Sequence, residues 1–224
     1  MLAGAVSGFV LGAAAVAGGL YVFPFDHLSR TDPRRADVGA GSESISLRVM
    51  QDAIAATHGG RFPLQPIPEG IGSLAGPNLA DTFAFITKAR DATNEIAGFA
   101  TELEVASPQS RLLAGKIMTD TYWTVVLPAR GTLFLHQTEN NWRLAKDVQL
   151  PMLLTGRDWS GEWLNVNTFG PRSDGRGVIV GGTGEFGAAT GTFLEIGTLR
   201  SATIAGALGG VLELRLFLEA RQDR

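Results

Sequence analysis

Towards the C-terminus, apolar and polar residues alternate with a period of two. In the clearest run Leu212, Leu214, Leu216 and Leu218 face one way, while Glu213, Arg215 and Glu219 face the other. That period is the mark of a strand with one buried face. The same pattern, bounded by Gly, Pro, Asn and Asp, predicts strands over 81–90, 96–105, 116–127, 131–138, 150–156, 162–169, 177–181, 190–198 and 211–220. Turn residues occur in Pro128-Ala-Arg-Gly131 and across 138–141. Short antiparallel strands with regular turns and no helical inserts predict a closed barrel, which leaves no exposed edge.

Ahead of the strands the pattern changes. Residues 1–25 carry no charged side chain, enough to cross a hydrocarbon core of about 30 Å as one helix. Tyr21, Phe23 and Phe25 would sit at the interface, with Pro24 as a stop. A cleaved signal peptide is the rival reading, with Ala15-Val-Ala17 as its cleavage site. The absence of Lys or Arg at the start and the apolar residues beyond the site favour an uncleaved, single-pass membrane anchor. Gly4, Gly8 and Gly12 share one face of that helix, where small residues let a partner transmembrane helix pack closely. Arg30, Arg34 and Arg35 follow the segment and place the remainder on the cytoplasmic side. Next, Ser42 or Ser44 would cap a short amphipathic helix over 43–57, with Ile45, Val49, Ala53 and Ala56 on one face and Gly59-Gly60 as its end. Residues 61–77, with Pro63, Pro66, Pro68 and Pro77, read as an extended linker. The expected organisation is therefore an anchor over 1–25, a helix and linker over 26–77, and a barrel domain over 78–224.

Composition narrows the chemistry. A chain of 224 residues, 45% hydrophobic, holds one well-buried domain and little more. A net charge of −3 gives no electrostatic footprint for nucleic acid. With no cysteine, disulfides and thiolate catalysis are excluded. His27, His58 and His136 are dispersed, so no metal site is expected. No GxSxG elbow or P-loop occurs. Gly182-x-Gly184-x-x-Gly187 has the spacing of a dinucleotide fingerprint, but that fingerprint needs a helix after its third glycine and further βα units. Residues 188–197 carry two more glycines and a period-2 pattern, so the segment is expected to run strand, glycine corner, strand, with no nucleotide or other cofactor.

The run Gly181-Gly-Thr-Gly-Glu-Phe-Gly-Ala-Ala-Thr-Gly-Thr192 resembles the glycine-centred signature of plant dirigent proteins and of allene oxide cyclases. Trp159-Ser-Gly-Glu-Trp-Leu-Asn-Val166 is similar to a dirigent strand, and 212–218 sits where those families place their closing strand. The similarity covers about residues 131–220. It implies a mainly β fold, an antiparallel closed barrel of roughly eight strands, whose interior is filled or holds one small ligand. It also implies chemistry without a cofactor: dirigent proteins steer radical coupling of phenols, and allene oxide cyclases close a ring in an oxidised fatty acid. Arg172, in Gly170-Pro-Arg172, resembles the arginine that follows the matched strand in dirigent proteins, at a different spacing.

From the residues themselves, Tyr122 shares strand parity with Asp120, and His136 with Thr132 and Phe134. An acid or base inside an apolar barrel would have the shifted pKa that a cyclisation needs. Tyr122, His136 and Arg172 are thus the candidate catalytic residues, while Glu185 and Asp158 read as solvent-facing turn residues. Two functions fit: a membrane-anchored barrel that binds a small apolar molecule and acts as a cofactor-free cyclase or isomerase, or a non-catalytic subunit of a membrane complex docked through its glycine-faced helix. A cavity lined by Tyr, His or carboxylate would favour the first, and a filled apolar interior the second.

Overall fold

The computed structural model describes residues 42–49, 51–57, 67–74, 76, 79, 82–128 and 130–219. The expected anchor over 1–25, with Gly4, Gly8 and Gly12, lies outside the described residues, as do His27 and His58. Among the described residues no helix is long and apolar enough to cross a membrane.

The chain is mainly β. Its strands are β1 (Ser42–Val49), β2 (Ala53–Thr57), β3 (Gly72–Leu74), β4 (Thr82–Arg90), β5 (Ile96–Ala106), β6 (Met118–Leu127), β7 (Gly131–Asn140), β8 (Trp159–Val166), β9 (Thr168–Gly170), β10 (Gly177–Gly182), β11 (Gly191–Ala202) and β12 (Leu208–Leu218). Eight of them close an antiparallel barrel in the order β1-β12-β11-β10-β7-β6-β5-β4, with Ser46 of β1 meeting Arg90 of β4 at the seam. The others extend the sheet: β2 pairs with β4, β3 runs parallel to β2, β8 pairs with β11, and β9 with β7.

Two segments differ from expectation. Where an amphipathic helix is expected over 43–57, Ser42–Val49 and Ala53–Thr57 form β1 and β2. Ser44, Ile45 and Ser46 satisfy a period of two as well as a helical one, and the deciding partner is remote in sequence. β1 pairs along its length with β12, and Ile45 enters the core opposite Leu214. The barrel therefore takes in residues that the sequence pattern places ahead of it. Residues 150–156, expected as a strand, end a helical segment, α1, built from Trp142–Leu144, a π-helical turn Ala145–Gln149, and Leu150–Thr155. Pro151 falls at the start of its last piece, directly after the π-helical turn. Gly156, at φ 62°, caps it in the left-handed conformation.

Ion pairs tie the seam. Arg90 donates to both Asp52 carboxylate oxygens, at 2.6 and 2.8 Å, and so binds the β1–β2 turn to β4. Arg130, at the β6–β7 turn, donates to Glu43 on β1 and to Glu185 in the glycine corner, and lies 4.9 Å over the Phe186 ring. Those bonds hold the corner against one end of the barrel, where Phe186 is buried in the core. The glycines there are architectural. A Cβ on Gly131 would run into the Thr183 carbonyl, and one on Gly184 would meet the Arg130 carbonyl at 2.5 Å.

Candidate functional site in the barrel interior

The inward-facing row of each wall strand changes character along its length. On β7 it runs Leu133, Leu135, Gln137, Glu139; on β6, Val125, Trp123, Thr121; on β5, Ala100, Glu102. At one end, side chains such as Val125, Leu133, Phe193 and Leu216 fill the barrel. At the other end the interior opens into a cavity of about 340 Å³. Its wall is apolar over Phe83, Phe85, Ile117, Leu199 and Leu212, and α1 contributes Leu144 and Ala145 to its lining.

Four carboxylates line this cavity: Glu102 and Glu104 from β5, Glu139 from β7 and Glu195 from β11. Oxygens of Glu102, Glu139 and Glu195 all lie within 4.8 Å of one another, and these three residues are 5%, 2% and 2% exposed. No Lys, Arg or His is among the described residues that line the cavity. Buried negative charges without a counter-charge are expensive, so such a group holds protons.

Their surroundings are unequal. Glu195 accepts from Asn167 Nδ2 at 2.8 Å, Trp123 Nε1 at 3.0 Å and Gln137 Nε2. A chain continues behind it: Asn165 donates to Asn167, and Arg143 to Asn165. Thr168 donates to Gln137 Oε1 and accepts from the Glu195 N–H, so the amide of Gln137 is fixed with its NH₂ towards Glu195 and Glu139. Burial raises the Glu195 pKa, but these donors oppose the rise and favour its ionised form. Glu139 is held well above the usual carboxylate range by burial and then by Glu195 and Glu104, with Thr121 and Gln137 opposing. Glu104 is pushed up to about 8 by burial and then Glu195. Glu102 is also held well above, by burial and then by its carboxylate neighbours Glu104, Glu195 and Glu139. Among the described residues nothing donates a hydrogen bond to it. The cluster thus sets a carboxyl group whose ionised form is favoured by fixed N–H donors, Glu195, beside one that burial and like charges push towards its protonated form, Glu102. Environments that push carboxyl groups apart in this way separate acid from base. Three buried carboxylates at this spacing also have the donor set of a hard divalent cation.

The residues singled out in the sequence lie elsewhere. Tyr122 is 49% exposed and stacks on His136 at 4.7 Å between centroids, on the outer wall of β6 and β7. Their neighbours Trp123, Leu135 and Gln137 occupy the inner face. Arg172 is on the turn after β9, exposed and facing Asp174. None of the three lines the cavity, and Tyr122 and His136 are not brought to Arg172. The glutamates escaped notice because single buried acids carry no motif. The available signal was parity, since Glu139 is in step with Leu133 and Leu135, and Glu195 with Phe193.

The chain matches no known protein family and no curated protein sequence.

Proposed function

We propose that this barrel binds a small, mainly apolar molecule and rearranges it by proton transfer, as an isomerase or cyclase that needs no cofactor. The observation that carries this reading is the cavity: about 340 Å³ with largely apolar walls and, among its polar groups, a cluster of four glutamates on the strands β5, β7 and β11. One protonated glutamate of the cluster supplies a proton at one atom of the ligand, and another, once ionised, takes one from a second atom. The ligand's composition is unchanged, and the cluster regains its proton count through exchange among its members. Glu195, held by three N–H donors, stabilises positive charge that develops between them. The likeness of 181–192 to allene oxide cyclases points the same way, and a membrane anchor over residues 1–25 would serve delivery of an apolar molecule.

The test uses a simple proton-shift probe. The full chain in D₂O is incubated with 3-cyclohexenone, and conversion to the conjugated ketone with deuterium uptake is followed by NMR. Glu102→Gln should lower the rate by about 100-fold, the usual scale for losing a placed acid. Equal rates for wild type and variant would sink the reading.

A further inference from the structure

The cavity holds an excess of buried acid, and among the described residues that line it none is basic. Among the described residues, the charged groups acting on Glu102 are Glu104 on its own strand, Glu139 on β7 and Glu195 on β11. Across from Glu102 and Glu104 in the strand register stand Phe85 and Phe83 of β4, two rings stacked at 6.3 Å between centroids. Glu102 is 5% exposed, lines the cavity and has no hydrogen-bond donor among the described residues. A second buried polar group, Trp163 Nε1, is likewise without a partner, and its side chain also lines the cavity. A carboxylate among rings is the surrounding that recognises an organic cation, through an ion pair and the negative faces of the aromatic groups.

From this geometry we infer that the ligand carries a basic nitrogen, bound as an ammonium against Glu102, with its apolar body along Phe83, Phe85 and Leu212. The inference rests on the small-molecule reading above and names the class of molecule. A divalent ion is the rival occupant. It explains less, because a bare ion leaves most of a 340 Å³ cavity unused. In addition, the N–H groups of Trp123, Gln137 and Asn167 point at the Glu195 oxygens that would have to face the metal. Proton balance follows. The empty cluster holds protons at neutral pH, so an incoming ammonium displaces one, which leaves to the buffer while Glu102 becomes the counter-ion.

The test compares probes of one shape and different charge on the full chain. Calorimetry measures 2-phenylethylammonium, 2-phenylethanol and 3-phenylpropanoate at pH 7, in buffers of differing ionisation enthalpy so that proton release is counted. The ammonium should bind at least tenfold more tightly than the alcohol, with release of about one proton, and the carboxylate should bind least. Glu102→Gln should erase the preference while leaving the alcohol's affinity in place, which also shows that the variant is folded. If the alcohol binds as well as the ammonium, or the variant keeps the preference, the inference falls and the small-molecule reading stands. If no probe binds and Leu212→Trp, which fills the cavity, changes nothing, both fall. Stoichiometric Mn²⁺ binding that excludes the ammonium would assign the glutamates to a metal instead.

Discussion

Glu195 and Glu102 share one cavity and differ in their partners, yet burial raises the pKa of both, and this has a consequence for stability. An acid whose pKa is raised on folding binds more protons in the native state than in the unfolded chain. Its contribution is complete below the ordinary value of 4.5 and is lost as pH rises through the raised value, about 8 for Glu104. Glu102, Glu139 and Glu195 act in the same direction. Asp52 has the opposite sign. The Arg90 hydrogen bonds hold its pKa below the ordinary 3.8, so its contribution is present above that value and fades as pH falls through the lowered one. Thermal unfolding followed across pH should therefore give a Tm that peaks at about pH 5 and declines towards pH 8. The double variant Glu102→Gln/Glu104→Gln should flatten the alkaline limb and leave the acid limb alone. An unchanged slope between pH 5 and 8 would contradict the protonated cluster.

Within single elements, β5 shows why its glutamates resist reading from a pattern. Phe99, Leu103 and Val105 share one parity and lie on the outer wall, while Ala100 and Glu102 share the other and face inward. An isolated strand with this pattern would be turned the other way, since burying phenylalanine and leucine is favourable and burying glutamate is costly. Its register against β4 and β6, fixed along its length, leaves it no choice of face. The glycine corner is the opposite case, legible because glycine is demanded by backbone geometry. Gly184 has φ 58° and a carbonyl where a Cβ would stand, whereas Gly187 has an ordinary φ of −59°. Gly184→Ala should cost on the order of 1–3 kcal/mol in denaturant unfolding, and Gly187→Ala clearly less. Equal costs at the two positions would mean that the corner rearranges freely.

For the whole molecule the decisive element is β1, because it joins β12 to β4 and closes the barrel. A chain starting at residue 42 keeps all eight barrel strands and should give a β-type circular dichroism spectrum with cooperative melting. One starting at residue 78 loses β1, β2 and β3, and with them the Asp52–Arg90 and Glu43–Arg130 pairs. It leaves β12 and β4 as two open edges, which recruit other chains. Size-exclusion chromatography should find the longer chain discrete and the shorter one aggregated. A monodisperse, cooperatively melting product from residue 78 would show that closure through β1 is dispensable.

The alternation of Leu212, Leu214 and Leu216, the turn residues of the β6–β7 hairpin and the glycines of 181–187 determined by themselves that the chain is β-rich, antiparallel and sharply cornered. Those signals are local: strand period, turn chemistry and φ preference act within a few residues. Tertiary structure alone decided that 42–49 would be a strand, because its partner β12 lies at the far end of the chain. It also decided that Tyr122 and His136 face outward and that Glu102, Glu139 and Glu195 meet, since the inner face of a closed barrel is set by registers running right around it. The site is made from four residues on three strands, far apart in sequence. Each looks like an ordinary surface acid until the barrel closes over it.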